Sequence, residues 1–182
     1  MIHLKNSGYS PNDAPTLLKK ADDLSSQMNV IIRDMRVSTK YLEFDASVAK
    51  GELDLLVSTL SPIGNLDHAR HVVEEEIDKK QALDLAIQYF NDERFWECHE
   101  VLEGVWKKTF EGEKDLVQGI ILVAAALVHY QKNENDICLS IMQRAINKLS
   151  SSTGMYHGIN VDKFRKVVSG IISSNKIAPF KI

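Results

Sequence analysis

The apolar residues of this chain change period near residue 75, from an alternation of two to the 3.6 spacing of helices, and the change separates two regions of different kind. Ahead of it, strands and helices alternate. Ile2–Lys5 is a short strand candidate, and Ser10-Pro11-Asn12-Asp13 then supplies an N-cap, a proline at the first helical position and an acidic first turn. A helix is expected from there, with Ala14, Leu17, Leu18, Ala21, Leu24 and Met28 on its apolar stripe. Val30–Val37 is β-rich. Tyr41–Val48 alternates strictly, with Leu42, Phe44, Ala46 and Val48 on one face and Tyr41, Glu43, Asp45 and Ser47 on the other, which predicts a hairpin with one solvated face. Leu53, Leu56, Val57 and Leu60 mark a second helix that Pro62 and Gly64 end, and Asp67–Val73 reads as a last strand. The order βαββαβ predicts a ferredoxin-like α+β domain over residues 1–75.

From residue 76 to 182 the pattern is helical throughout. VVEEEIDKK is a charged junction, after which Ala82, Leu83, Leu85, Ala86, Tyr89 and Phe90 form an amphipathic helix. Asn91-Asp92 caps the next helix, and Glu111-Gly112-Glu113 is a turn. Leu116–Tyr130, apolar nearly all round, reads as the central helix of a bundle. Lys132-Asn133-Glu134-Asn135 turns the chain into a helix with Ile137, Ile141, Met142, Ala145, Ile146 and Leu149 inward. After a loop over Gly154–Asn160, Phe164, Val167, Val168, Ile171 and Ile172 mark a last helix, and Pro179 stops regular structure. Five helices are expected.

Polar residues break the apolar stripes at two places. At about 100° per residue, Phe95, His99, Leu102, Glu103, Trp106 and Phe110 share one face, so His99 and Glu103 are expected to face the core. In the central helix Gln118, Leu122, Ala125 and His129 share a face, with the glutamine and histidine about 16 Å apart along the axis. An antiparallel turn near Gly112 would set Gln118 near Glu103 and Trp106, Ala125 near His99, and His129 near Phe95. The expected result is a polar seam between two helices. Burying such groups is costly unless they are paired, so the seam needs either partners or a ligand.

Composition narrows the setting without naming a function. With 44% hydrophobic and 26% charged residues the chain has an ordinary globular make-up. Residues 1–79 carry 9 Lys and Arg against 13 Asp and Glu, residues 80–182 carry 13 against 12, and neither half resembles a nucleic-acid binder. An RNA-reading sheet would need outward aromatics, yet Tyr41 stands there beside Glu43 and Asp45. The longest apolar run, Ile120–Val128, falls short of the ~18 residues of a membrane span. MIHLKNSGYS lacks a signal-peptide pattern, and Cys98 and Cys138 form no CxxC pair, so a reduced, cytoplasmic protein with core-filling cysteines is expected. His68 and His71, three apart on a strand, face opposite sides, while His3 and His157 are read as surface residues. An open four-stranded sheet leaves pairing edges, which predicts a homodimer through the first domain.

FNDERFWECHEVLEGVW, DLVQGIILVAAALVHYQKNEND and IMQRAINKL together resemble the helical domain-of-unknown-function family three hundred and nine, over roughly residues 80–150. The resemblance implies a small all-α bundle with tetratricopeptide-like helix pairs, places Phe95, His99, Glu100, Glu103, Trp106 and His129 on signature positions, and implies no established activity. Three readings of the seam compete. In the first, His99, Glu103 and Gln118 hydrogen-bond one another and hold the helices together. In the second, His99 and Glu103 grip a small polar or cationic ligand against Trp106. In the third, a divalent metal sits on His99 and Glu103 with Glu100 as base, echoing HExxH, although Glu replaces the second His and Glu100 points about 100° away. The residues favour a non-catalytic binding or interaction module for a small-molecule or protein partner. A metal-dependent hydrolase is the alternative.

Overall fold

The computed structural model describes residues 1–49, 51–72, 77–110 and 112–182. The chain packs as two compact units, Met1–Glu74 with Gln131–Asn133, and Glu75–Tyr130 with Glu134–Ile182. Among the described residues no helix is long and apolar enough to cross a membrane.

In the first unit β1 (Ile2–Lys5), α1 (Ala14–Ser25), β2 (Val30–Val37), β3 (Tyr41–Val48), α2 (Leu53–Leu60) and β4 (Leu66–Ala69) form an antiparallel sheet of order β2-β3-β1-β4 with two helices. The helix foreseen at Pro11 begins as a single 3-10 turn over Pro11–Asp13, where the Ser10 N–H donates to the Asp13 carboxylate at 2.8 Å. β4 is shorter than the strand expected over Asp67–Val73, and Val73 lies outside the described residues. Ile2, Leu4, Met35, Val37, Leu42 and Phe44 of the sheet bury themselves against Ala14, Leu17 and Ala21 of α1 and Leu56 and Leu60 of α2. Leu24, assigned to the same stripe, is instead exposed. A Cβ on Gly64 would stand 2.9 Å from the Lys5 carbonyl oxygen, so only glycine lets the α2–β4 turn pass this close to β1. Edge strand β2 carries a bulge between Ile32 and Asp34, and the Arg33 side chain folds back onto Asp45 at 2.8 Å. Such a bulge blunts an open edge.

The second unit contains α3 (Lys79–Asn91), α4 (Phe95–Lys107), α5 (Lys114–Gln131), α6 (Asn135–Leu149) and α7 (Val161–Ser174), with a small ribbon of β5 (Met155–Tyr156) and β6 (Ile159–Asn160) in the expected loop. Asp78 opens α3 with a capping box: its carboxylate accepts from the Gln81 N–H at 2.9 Å and its N–H donates to the Gln81 side chain at 3.3 Å. The five helices match the expected number, but Ile137 at the start of α6 is exposed rather than inward.

The α3–α4 and α5–α6 turns are built alike. Glu93 (φ 60°) and Asn133 (φ 66°) adopt left-handed backbone, and the next N–H reaches back to a helix carbonyl, Arg94 to Tyr89 and Glu134 to His129, each at 2.9 Å. This satisfies one of the carbonyls a helix end would otherwise orphan. The following helix is then opened by a cysteine N–H in both cases, Cys98 to the Arg94 carbonyl and Cys138 to the Glu134 carbonyl, each at 3.0 Å. The side chains repeat the contact. The Arg94 guanidinium lies 4.4 Å from the Tyr89 ring centroid, and the Glu134 carboxylate bonds the His129 imidazole.

α5 and α6 approach closely at Gly119, where a Cβ would lie 2.5 Å from Cγ of the fully buried Leu149. Gly119→Ala should therefore destabilise the protein, since overpacking of ~1–3 kcal/mol outweighs the ~1 kcal/mol of helix propensity regained. Gly104→Ala in α4, where a Cβ meets nothing within 4 Å, should stabilise by ~0.5–1 kcal/mol. Thermal denaturation of the two variants would move melting temperatures in opposite directions, and a rise for Gly119→Ala would show that Leu149 yields.

Candidate functional site

α4 buries the apolar stripe Phe95, Cys98, Leu102 and Val105 and, off that stripe, Glu97, whose carboxylate accepts twice from the Arg94 guanidinium. That stripe is rotated by roughly 70° from the face carrying His99, Glu103 and Trp106. Phe95 and Leu102 belong to both faces, so periodicity alone left the phase of the helix open. Desolvation decides it, because turning Cys98 and Val105 inward leaves in water the Glu100 and Glu103 carboxylates, which among the described residues have no arginine as Glu97 does. The expectation that His99 and Glu103 point into the core is corrected accordingly: the His99 side chain is 25% exposed and those of Glu100 and Glu103 are each 49% exposed. Phe110, placed on the same buried face, is exposed.

His99 is held between its two glutamates. Its Nδ1 lies 3.3 Å from Glu100 Oε1 and its Nε2 lies 3.6 Å from Glu103 Oε1. When protonated, the ring can donate to both. The two carboxylates engage opposite edges of the imidazole, so a cation on Nε2 could recruit Glu103 but not Glu100, and the three do not converge on one point. Trp106 packs its ring against the helical core, with the Lys114 ammonium 4.4 Å from the ring centroid, while its buried indole N–H has no hydrogen-bond partner among the described residues.

The other two seam residues lie elsewhere. Gln118 and His129 do share a face of α5 with Leu122 and Ala125, and all four are partly exposed, so this face is the less buried side of that helix. His129 pairs with Glu134 in its own turn, and among the described residues Gln118 hydrogen-bonds neither His99 nor Glu103. The six residues thus divide into a His99 cluster, a His129 pair, an isolated Gln118 and a Trp106 paired with Lys114. The cysteines add no nucleophile. Burial pushes the Cys98 thiol far up, and it raises Cys138 to about 12 although the Tyr130 backbone opposes the shift, so both stay protonated at neutral pH.

A second polar cluster, unforeseen, crosses the sheet of the first unit. Arg36, Glu43, His3 and His68 stand opposite one another on β2, β3, β1 and β4. Glu43 accepts from Arg36 and contacts His3 Nε2 at 3.2 Å, and Arg36 also reaches Asp34 at 3.5 Å. The His3 and His68 rings stack with centroids 4.2 Å apart, and Tyr41 meets both edge-on. A hydrogen bond from His68 is the main influence holding the Asp67 carboxyl below its usual range. His3, Arg36 and Glu43 are buried, which overturns the surface placement of His3 and, at Glu43, the solvated face expected for β3, on which Tyr41 and Asp45 are half-buried and Ser47 is exposed. Pairing explains the tolerance: a carboxylate held by a guanidinium need not face water. Alternation alone puts Tyr41 and Glu43 on one face of β3, and only the strand order brings His3 and Arg36 opposite Glu43.

Residues 83–141 match the DUF309 family model, a domain of unknown function. The match meets the resemblance read from the sequence and spans most of α3, both matching turns and the start of α6. All six seam residues lie within this DUF309 segment, whereas the sheet cluster lies outside it. No curated protein matches the chain.

The two clusters should respond differently to mutation. Glu43→Ala removes the carboxylate bonded to the buried Arg36 guanidinium and should cost ~3–5 kcal/mol, near the lower end because Asp34 remains. Glu103→Gln, on a half-exposed side chain, should stay within ~0.5 kcal/mol of the parent. Urea denaturation giving equal losses for the two would contradict the burial contrast.

Proposed function

We propose that the helical unit is a non-catalytic binding module for a protein partner, built from tetratricopeptide-like helix pairs, and that the sheet unit is ferredoxin-like. The observation carrying the first part is the repeated turn: Glu93 and Asn133, with their 2.9 Å return bonds, stand forty positions apart in two consecutive hairpins. Stacked hairpins of one geometry form grooves suited to extended segments of other chains. The His99 cluster supports binding over catalysis, because its carboxylates flank the ring instead of converging and the nearby thiols stay protonated. The strand order β2-β3-β1-β4 supports the ferredoxin-like reading of the first unit. Two buried, unpaired thiols favour a reducing compartment such as the cytoplasm.

Two measurements test the module reading. Selection of displayed random peptides against the full-length protein should enrich sequences whose binding is lost on changing residues of the helical unit. Elemental analysis should find no stoichiometric divalent metal, and His99→Ala should leave both metal content and melting temperature unchanged. One equivalent of metal that disappears in His99→Ala would replace the module with the metal-dependent hydrolase.

A further inference from the structure

Beyond α7 the chain runs over residues 176–182 without regular structure, yet it is seated on the helical unit. Asn175 ends α7 in left-handed backbone (φ 53°), and Ile177, Phe180 and Ile182 then turn onto the core. Phe180 stands edge-on to Phe90 of α3 at 5.3 Å and tilted on Phe164 of α7 at 5.7 Å, while those two rings lie 6.2 Å apart. Phe90 and Phe164 are buried. At the far end the Asn91 side chain treats Ile182 as a β-strand neighbour would. Its Nδ2 donates to the Ile182 main-chain oxygen at 3.1 Å, and its Oδ1 accepts from the Ile182 N–H at 2.8 Å.

Two features separate this seat from ordinary core packing. The Asn91 amide reads only backbone, so it anchors an extended segment whatever side chain that residue carries, and apolar burial alone needs no such device. The segment is also lightly held: among the described residues its backbone joins no ladder, and its attachments are three apolar side chains, the Asn91 pair and a 3.3 Å bond from the Lys176 N–H to the Ser174 hydroxyl. It can leave without unravelling a helix.

We propose that the cleft between Phe90 of α3 and Phe164 of α7, with Asn91 as its backbone clamp, is a recognition groove for an extended segment of a partner protein. That segment would carry an aliphatic residue, then phenylalanine three positions on and a second aliphatic two beyond, and residues 176–182 are its displaceable occupant in cis. This rests on the binding-module reading and assigns its site and ligand class. A tethered occupant competes at an effective concentration in the millimolar range, so the groove of the intact chain is largely closed to a free peptide.

The test uses the full-length chain and a fluorescent, end-blocked peptide of residues 175–182. Fluorescence anisotropy should show weak binding to the parent and at least tenfold tighter binding to Phe180→Ala, which frees the groove in cis. Adding Asn91→Ala should reverse the gain at least tenfold, and a scrambled peptide should not bind. A folded Phe180→Ala that ignores the peptide, or binds the scrambled one equally, overturns the proposal. Amide hydrogen exchange on the parent gives an answer even if that variant fails to fold. The Ile182 N–H should exchange at least a hundredfold faster than core amides of α7, and exchange only with global unfolding would make the segment a permanent part of the core and overturn the groove. Displayed peptides that bind the helical unit elsewhere, with this groove silent, would leave the module standing and remove this inference alone.

Discussion

A helix can be followed closely by another only if its last carbonyls find donors and the chain reverses within a few residues, and the helical unit meets that constraint twice by the same means. One left-handed residue lets the next N–H reach the carbonyl five positions back. The side chain after the turn covers the residue it bonds, as Arg94 on Tyr89 and as Glu134 on His129. The chemistry of the cover differs while the geometry does not, which indicates that the backbone bond sets the turn and the side chains adapt to it. Placing α4 in this way puts Phe95 beside Phe90, the ring that also receives Phe180.

Polar burial follows one rule in both units. In the sheet, Glu43 is buried because Arg36 neutralises it and His3 takes a second contact, so the strands carry a charged row across their middle. In α4 the buried Glu97 is held in the same way by Arg94, while Glu100 and Glu103, which flank the His99 ring, reach water. Both outcomes come from the same desolvation cost, which Glu43 and Glu97 offset by pairing with a guanidinium and which Glu100 and Glu103 avoid by facing water.

Much of this was legible in the residues. β1, β2 and β3 fall where alternation and β-branched runs put them, and the helices of the second unit follow the 3.6 period. What escaped was phase and pairing. FWECHEVLEGVW carries two apolar stripes that share Phe95 and Leu102, and period alone gives them equal standing, so it does not tell on which side His99 lies. On β3 the polar alternation marked a face correctly but not its surroundings, since one strand does not reveal that Arg36 and His3 lie opposite Glu43. The seat of residues 176–182 had no periodic signature, because an extended segment held by three spaced side chains and one amide leaves no repeat to read.

The matched positions of Cys98 and Cys138 have a use unconnected with partners. Each thiol is sealed one turn past the reversal of its own hairpin, and neither is reactive until that hairpin parts. The chain therefore carries two internal clocks, and the rates at which a small alkylating reagent labels them would time the opening of each hairpin separately, without adding any probe to the molecule.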